Sequence, residues 1–304
     1  MKKIWLVLGC IGLLILSERS FHAVTDGFYE SRIITDIPNR AEWEIKIAPP
    51  QEALTQTYHY LGCGSQSFVF ASADDKYVLK FFKHHRWKKN HLKTWFRDMK
   101  NVNIYRDHTL RSAIYALEYL PSESLVEYVH LNRGNDQLPT VTCVDRLGRK
   151  HYFDLNKYQF VIQRKGCTLK ERLVERKAHG DLEGARQDIR QILDLFSLCH
   201  HKGIINHDPH MTRNFGFVGD TPIVIDSGAF WEYRGETSEP LSEKEVHKGT
   251  HQLLKWTKEN FPALTQEIED WKTSYSKPII AKASLVCRRV NESGSKKPHI
   301  SSRV

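Results

Sequence analysis

The chain has no pair of cysteines in C-x-x-C spacing. Its six cysteines, Cys10, Cys63, Cys143, Cys167, Cys199 and Cys287, are scattered, which excludes a structural-zinc framework and reads as reduced thiols rather than a disulfide scaffold. No 20–50-residue repeat is present, so a solenoid or propeller is excluded. There is also no long apolar run. The longest uninterrupted one, Ile4–Leu16, has 13 residues, about 20 Å of helix at ~1.5 Å per residue, short against a hydrocarbon core of about 30 Å. No A-x-A cleavage site follows it, since Phe21-His22-Ala23 is a poor match.

What is present is ordinary globular composition: 304 residues, 40% hydrophobic and 27% charged, enough chain for a two-lobed domain and too apolar for wholesale disorder. The formal charge of +9 gathers in Lys80–Lys100 and in the tail Arg288–Arg303. Such stretches suit anionic partners, or simply form a solvated basic face. With Trp87, Trp95 and Phe96 interleaved, residues 83–100 are read as a basic insertion able to lie on an anionic membrane surface. No RNA-binding motif accompanies it, so no specific nucleic acid is predicted. Residues 1–20 are read as a transmembrane helix or signal-like anchor. Lys2-Lys3 places the N-terminus in the cytoplasm, Arg19 and Arg32 oppose that bias, and export is the alternative.

Residues 21–57 read as a linker. Short β-prone runs follow at Tyr58–Leu61, Phe68–Ala71, Tyr77–Phe82, Leu125–His130 and Gln159–Gln163, with turns at Asp74-Asp75 and Asp145–Lys150. A helical stretch spans Thr109–Leu120 and stops at Pro121. The second half is helical: Ala185–His201 carries an apolar stripe through Ile189, Ile192, Leu193 and Phe196 and closes on Gly203. The strand Pro222–Asp226 and helices over Ser242–Phe261 and Leu264–Tyr275 complete it. A β-rich half before an α-rich half predicts an α+β fold, with residues 58–164 as one lobe, 165–280 as the other and 281–304 as a basic disordered tail.

Two constellations carry chemistry. The first is Gly62-Cys63-Gly64-Ser65 between strands, then Val69 and, on the next strand, Lys80. Glycines let backbone N–H groups approach phosphates, an aliphatic residue can cover a purine, and a strand lysine can reach the phosphates. The bland readings are a hairpin turn and an exposed lysine. Cys63 reads as a small residue tolerated between glycines rather than a nucleophile. The second runs His200-His201-Lys202-Gly203-Ile204-Ile205-Asn206-His207-Asp208, then Asn214 and Ile225-Asp226-Ser227-Gly228. An Asp in a post-helix loop can deprotonate a hydroxyl, and an Asn with a second Asp can hold Mg²⁺ through hard oxygens. A histidine metal cluster is the competing reading of His200, His201, His207 and His210; no second ligand pair completes it.

On these residues the chain resembles the protein-kinase-like superfamily in an atypical bacterial form. Residues 200–208 resemble the helix end and catalytic loop leading to H-R-D, Ile225–Gly228 resembles D-F-G, and Gly62–Lys80 resembles the nucleotide lobe. The resemblance covers Tyr58–Phe261. It implies a bilobal fold binding ATP and Mg²⁺, with Gly62, Gly64, Ser65, Val69 and Lys80 around the nucleotide and Val161–Gln163 as the hinge that pairs with adenine. It implies Asp208 as catalytic base and Asn214 and Asp226 as metal ligands, acting on an unknown hydroxyl acceptor. The departures are Asn206 for the loop histidine, His210 for a lysine, no A-P-E segment, and Asn214 six residues after Asp208 with Arg213 at the usual position. The helix glutamate that should pair with Lys80 is either Glu118 or absent, because spacing points nearer Ser112. A pseudokinase that senses nucleotide without catalysis is the alternative.

Overall fold

The computed structural model describes residues 2–88, 99–134 and 138–275. Helix α1 (Lys2–Thr25) precedes a short turn of helix, α2 (Gln51–Leu54). Three strands follow: β1 (Thr57–Cys63), β2 (Ser67–Ser72) and β3 (Tyr77–Phe82). Then come α3 (Met99–Glu118), α4 (Pro121–Ser124), β4 (Val126–His130), β5 (Thr140–Val144), β6 (Lys150–Asp154) and β7 (Phe160–Arg164). One seven-stranded sheet runs in the order β4-β7-β3-β2-β1-β5-β6. All its pairs are antiparallel except β1 with β5. The hairpin β5–β6 leaves the chain between β4 and β7 yet docks on the far edge, beside β1.

The second lobe contains the short strand β8 (Cys167–Thr168), α5 (Leu169–Ala178), α6 (Leu182–His201), β9 (Ile204–Asn206) and α7 (Met211–Asn214). After them come β10 (Phe215–Val218), β11 (Thr221–Val224), β12 (Phe230–Tyr233), α8 (Glu243–Asn260) and α9 (Thr265–Tyr275). This is an α+β architecture of a β-rich lobe followed by a helical lobe, as the element order predicts. Capping boxes start two of the helices, Thr168 with Glu171 and Ser242 with Glu245. Gly203 ends α6 at φ +78°, with Gly235 O 2.0 Å from where a Cβ would sit, so no side chain is tolerated there.

Two apolar clusters sit on the two faces of the sheet. The outer one packs Phe68, Phe70, Phe81, Phe153 and Phe160 with Phe28, Ile33, Ala53 and Leu54. The inner one is continuous from α3 (Leu110, Ala113, Leu117) through Phe82 and Val161 into Ile189, Leu193 and Leu253 of the helical lobe. Each fully buried aromatic or aliphatic side chain contributes about 1.5–3 kcal/mol, so this shared core fixes the lobes against one another.

Two sequence expectations change. Residues 21–57 are not a linker: Phe28, Ile33 and Leu54 are buried in the outer cluster and Ile37 and Trp43 in the inner one. The transmembrane helix expected at the N-terminus is also not borne out. No helix among the described residues is long and apolar enough to cross a membrane. Within the basic insertion, Lys83, His84 and Trp87 are buried and Arg86 is exposed; residues 89–98, with Trp95 and Phe96, lie outside the described residues. So does the tail 281–304.

Candidate functional site

Between the lobes lies a cavity of about 450 Å³ lined by Gly62, Cys63, Gly64, Ser65, Val69, Val78, Lys80, Gln163, Asp208, Arg213, Asn214 and Asp226. The strand register explains one wall. Val69 faces Lys80 across β2–β3 and Lys80 faces Val161 across β3–β7. The other wall is the loop after β9 and the end of β11, two segments that meet where Asn214 O accepts from Ile225 N (2.8 Å) and Asp226 N (3.2 Å).

Lys80 is withdrawn from water, and that burial pushes its ammonium below its ordinary pKa, opposed by the nearby Asp226 carboxylate. Its Nζ donates to Ile225 O at 2.7 Å. Among the described residues it makes no ion pair. The helix glutamate is therefore not Glu118, which is exposed at the end of α3. At the place the spacing indicates stands Ser112, fully buried. Its hydroxyl donates to Ser227 O and accepts from Phe230 N at 2.8 Å. A serine too short to reach Lys80 ties α3 to the segment after Asp226 instead.

Asp208 and Asp226 are exposed to the cavity. The backbone N–H of Asp208 donates to Asn206 Oδ1 at 2.9 Å, so Asn206 shapes the loop that carries Asp208. Asn214, not Arg213, is turned toward Asp208: its Nδ2 donates to Asp208 O at 2.8 Å, while Arg213 is exposed. Short helix α7 takes up the extra residue. His210 has its pKa lowered by burial and then by Arg213, against Asp208. Among the described residues no group of three or more His, Cys, Asp or Glu side chains could hold a metal ion, so the histidine-cluster reading finds no support.

Gln163 lines the cavity. It lies inside the sheet, opposite Val78 on one side and Val126 on the other, and its buried amide donates to Ser124 O (2.6 Å) and Val224 O (3.0 Å). Its side chain is a tie between lobes, committed to two carbonyls. Arg164 and Gly166, at the strand exit, line the cavity as well.

The glycine loop shows what the sequence reading missed. Gly64 N donates to Ser67 O at 3.0 Å and so closes the hairpin. Three successive carbonyls are then tied to the basic segment: Gly64 O by Lys83 Nζ (2.7 Å), Ser65 O by Arg86 Nη1 (2.6 Å) and Gln66 O by Lys83 N (2.8 Å). A trans peptide directs N–H opposite to the preceding C=O, so the amides of Ser65 and Gln66 turn to the other side of the loop. A Cβ built on Gly62 or Gly64 meets nothing within 4 Å; the space beside them is open. Gln66 reaches across instead: Nε2 donates to Tyr105 Oη at 2.9 Å, and its Oε1 lies 1.8 Å from where a Gly228 Cβ would be. Lys83 and Arg86 could not be read as loop anchors, because within the sequence they merge with a longer basic run.

No protein-family model matches the chain, and no curated protein matches it. Solved structures do. One is the bifunctional kinase–methyltransferase WbdD, at TM-score 0.36 and 13% identity over 75% of this chain and 47% of that one. The chain thus spans less than half of the protein it matches, and a likeness this distant adds nothing to the geometry above.

Proposed function

We propose that the chain is an ATP- and Mg²⁺-dependent phosphotransferase acting on a hydroxyl acceptor. The observation that carries the reading is the single cavity lined by a strand lysine, a glycine loop, two exposed aspartates and a buried asparagine. The amides of Ser65 and Gln66 would receive phosphate oxygens, Val69 would cover the base, and Lys80 would neutralise phosphate charge. Asp226 and the Asn214 Oδ1, hard oxygens with the Asn214 Nδ2 already used on Asp208, fit a magnesium ion. That ion would supply charge neutralisation when bound. Asp208, held at its backbone from both sides by Asn206 and Asn214, would accept the acceptor's proton.

The absence of an ion pair on Lys80 among the described residues favours a second reading, a pseudokinase that binds nucleotide without turnover. Melting of the full chain with and without MgATP, followed by an ADP-release assay, separates the two. The phosphotransferase reading expects a raised Tm that is lost in Lys80→Ala and Asp226→Ala. It also expects turnover that falls by about 10²–10⁴-fold in Asp208→Ala. A Tm shift without turnover for any alcohol acceptor leaves the pseudokinase, and no shift in the unaltered chain sinks both.

A further inference from the structure

A second cavity, of about 320 Å³, lies behind the loop that carries Asp208, at the small end of the roughly 300–1,000 Å³ typical of small-molecule sites. Its floor is apolar, made by Phe196, Phe215, Phe230 and Leu241. Two features are out of keeping with a mere packing gap. Asn206 Nδ2 and His200 Nε2, both on its wall, are buried polar atoms with no hydrogen-bond partner. An unpartnered buried polar atom costs about 1–3 kcal/mol, so a ligand oxygen there would relieve a standing penalty. At the mouth stand Lys244 and Lys248, exposed and one turn apart on α8. Glu245 between them is occupied: its Oε2 accepts from Ser242 N (2.9 Å) and Ser242 Oγ (2.6 Å) in the capping box. The mouth therefore presents two ammonium groups, and the interior presents apolar surface with polar atoms awaiting a partner.

We propose that this cavity binds an amphipathic anion, with its apolar body on the phenylalanine floor, an oxygen at Asn206 and His200, and its carboxylate or phosphate between Lys244 and Lys248. The inference does not depend on the phosphotransferase reading, because its test contains no nucleotide. The Asp208 loop is the wall between the two cavities: Asn206, His207 and Pro209 line this one and Asp208 lines the other.

Titration calorimetry on the full chain, with octyl phosphate, octanoate, octanol and inorganic phosphate as probes, tests it. The expected result is saturable 1:1 binding of octyl phosphate and octanoate, at least tenfold weaker binding of octanol, and none of inorganic phosphate. The double variant Lys244→Glu/Lys248→Glu, which alters only exposed positions, weakens both anions at least tenfold and leaves octanol unchanged. Ile205→Trp, filling the cavity from its wall, removes binding of all three chain-bearing probes; should that variant not fold, the lysine pair decides. The proposal is overturned if neither anion saturates, or if the lysine variant binds them as the unaltered chain does. Loss of octanoate binding in Lys80→Ala also overturns it, since that would put the ligand in the other cavity.

Discussion

Charge is handled in opposite ways in the helical lobe and at the cleft. Asp188 in α6 is 1% exposed, and its two oxygens are gripped by Arg172 Nε (3.0 Å) and Arg176 Nε (2.9 Å). The guanidinium groups are in turn held by Asp220 and Asp181, and the pairing raises the pKa of both arginines. At the cleft, Asp208 and Asp226 are exposed, and Lys80 is half-buried against the Ile225 carbonyl. The helical lobe thus pairs its buried Asp188 completely, whereas Lys80, Asp208 and Asp226 at the cleft make no ion pair among the described residues, which the proposed function explains by a ligand. Desolvated charge without a partner is costly, and a ligand that binds there offsets the cost.

The comparison can be broken most forcefully at Asp188. Asp188→Ala should destabilise the fold by about 3–5 kcal/mol, the loss expected when one partner of a buried ion network is removed. Asp208→Ala should stay within about 0.5 kcal/mol, as at an exposed unpaired site. Urea unfolding of both variants measures the difference, and equal losses would end the distinction between structural and reserved charge.

A buried base extends it to pH. His84 is 2% exposed, with Nε2 unpartnered and Phe82 and Trp87 packed on its ring. Burial, then Lys88 and Arg106, pushes its pKa down to about 3. The unfolded imidazole binds its proton near pH 6.5, so the unfolded state holds more protons between about pH 3 and 6.5. The stability this group contributes is thus complete above 6.5 and is lost as pH falls toward 3, by up to about 1.4 kcal/mol per unit. His84→Phe should flatten that slope in denaturation midpoints recorded from pH 7 to 4. An unchanged slope would mean that His84 is protonated in the fold.

A smaller effect sharpens the reading of α3. Ser112→Ala removes a hydroxyl that serves Ser227 O and Phe230 N and should cost about 1–3 kcal/mol, because buried backbone groups are left unsatisfied. It should also weaken MgATP binding measured by calorimetry, if α3 positions the Asp226 segment; a stability loss with unchanged binding would make the contact structural only. The smallest change belongs to Lys80→Met. Replacing a buried, unpaired ammonium by an apolar side chain of similar length should leave thermal stability equal or slightly raised while the ligand-induced stabilisation disappears. For the unaltered chain that stabilisation is about 2.7 kcal/mol at a hundredfold excess over Kd. A large drop in the Tm of Lys80→Met would show that the Ile225 carbonyl, rather than a ligand, is its purpose.

Much of the fold was legible along the chain because its signals are local. The apolar stripe of 185–201, the closing glycine at 203, the turn at Asp74-Asp75 and the β-prone run Tyr77–Phe82 each depend on neighbours within a few residues. Misread segments had signals that depend on distant ones. Residues 21–57 look like a linker until the outer face of the sheet is there to bury Phe28 and the inner core to bury Trp43. Gln163 gives no sign in the sequence of the tie its amide makes to Ser124 O and Val224 O. Lys83 and Arg86 look like part of a basic face until the glycine loop folds over them.

The sequence by itself determined the order of the lobes and the chemical types brought to the cleft, because helix and strand periodicity and the choice of Lys, Asp and Asn are written locally. Only the tertiary structure decided the partners: a carbonyl rather than a glutamate for Lys80, Ser112 as the tie between α3 and the Asp226 segment, Asn214 rather than Arg213 against Asp208. Those choices are set by distances between residues up to 145 positions apart in the chain, and side-chain reach across such a gap is fixed only when packing brings the backbones together.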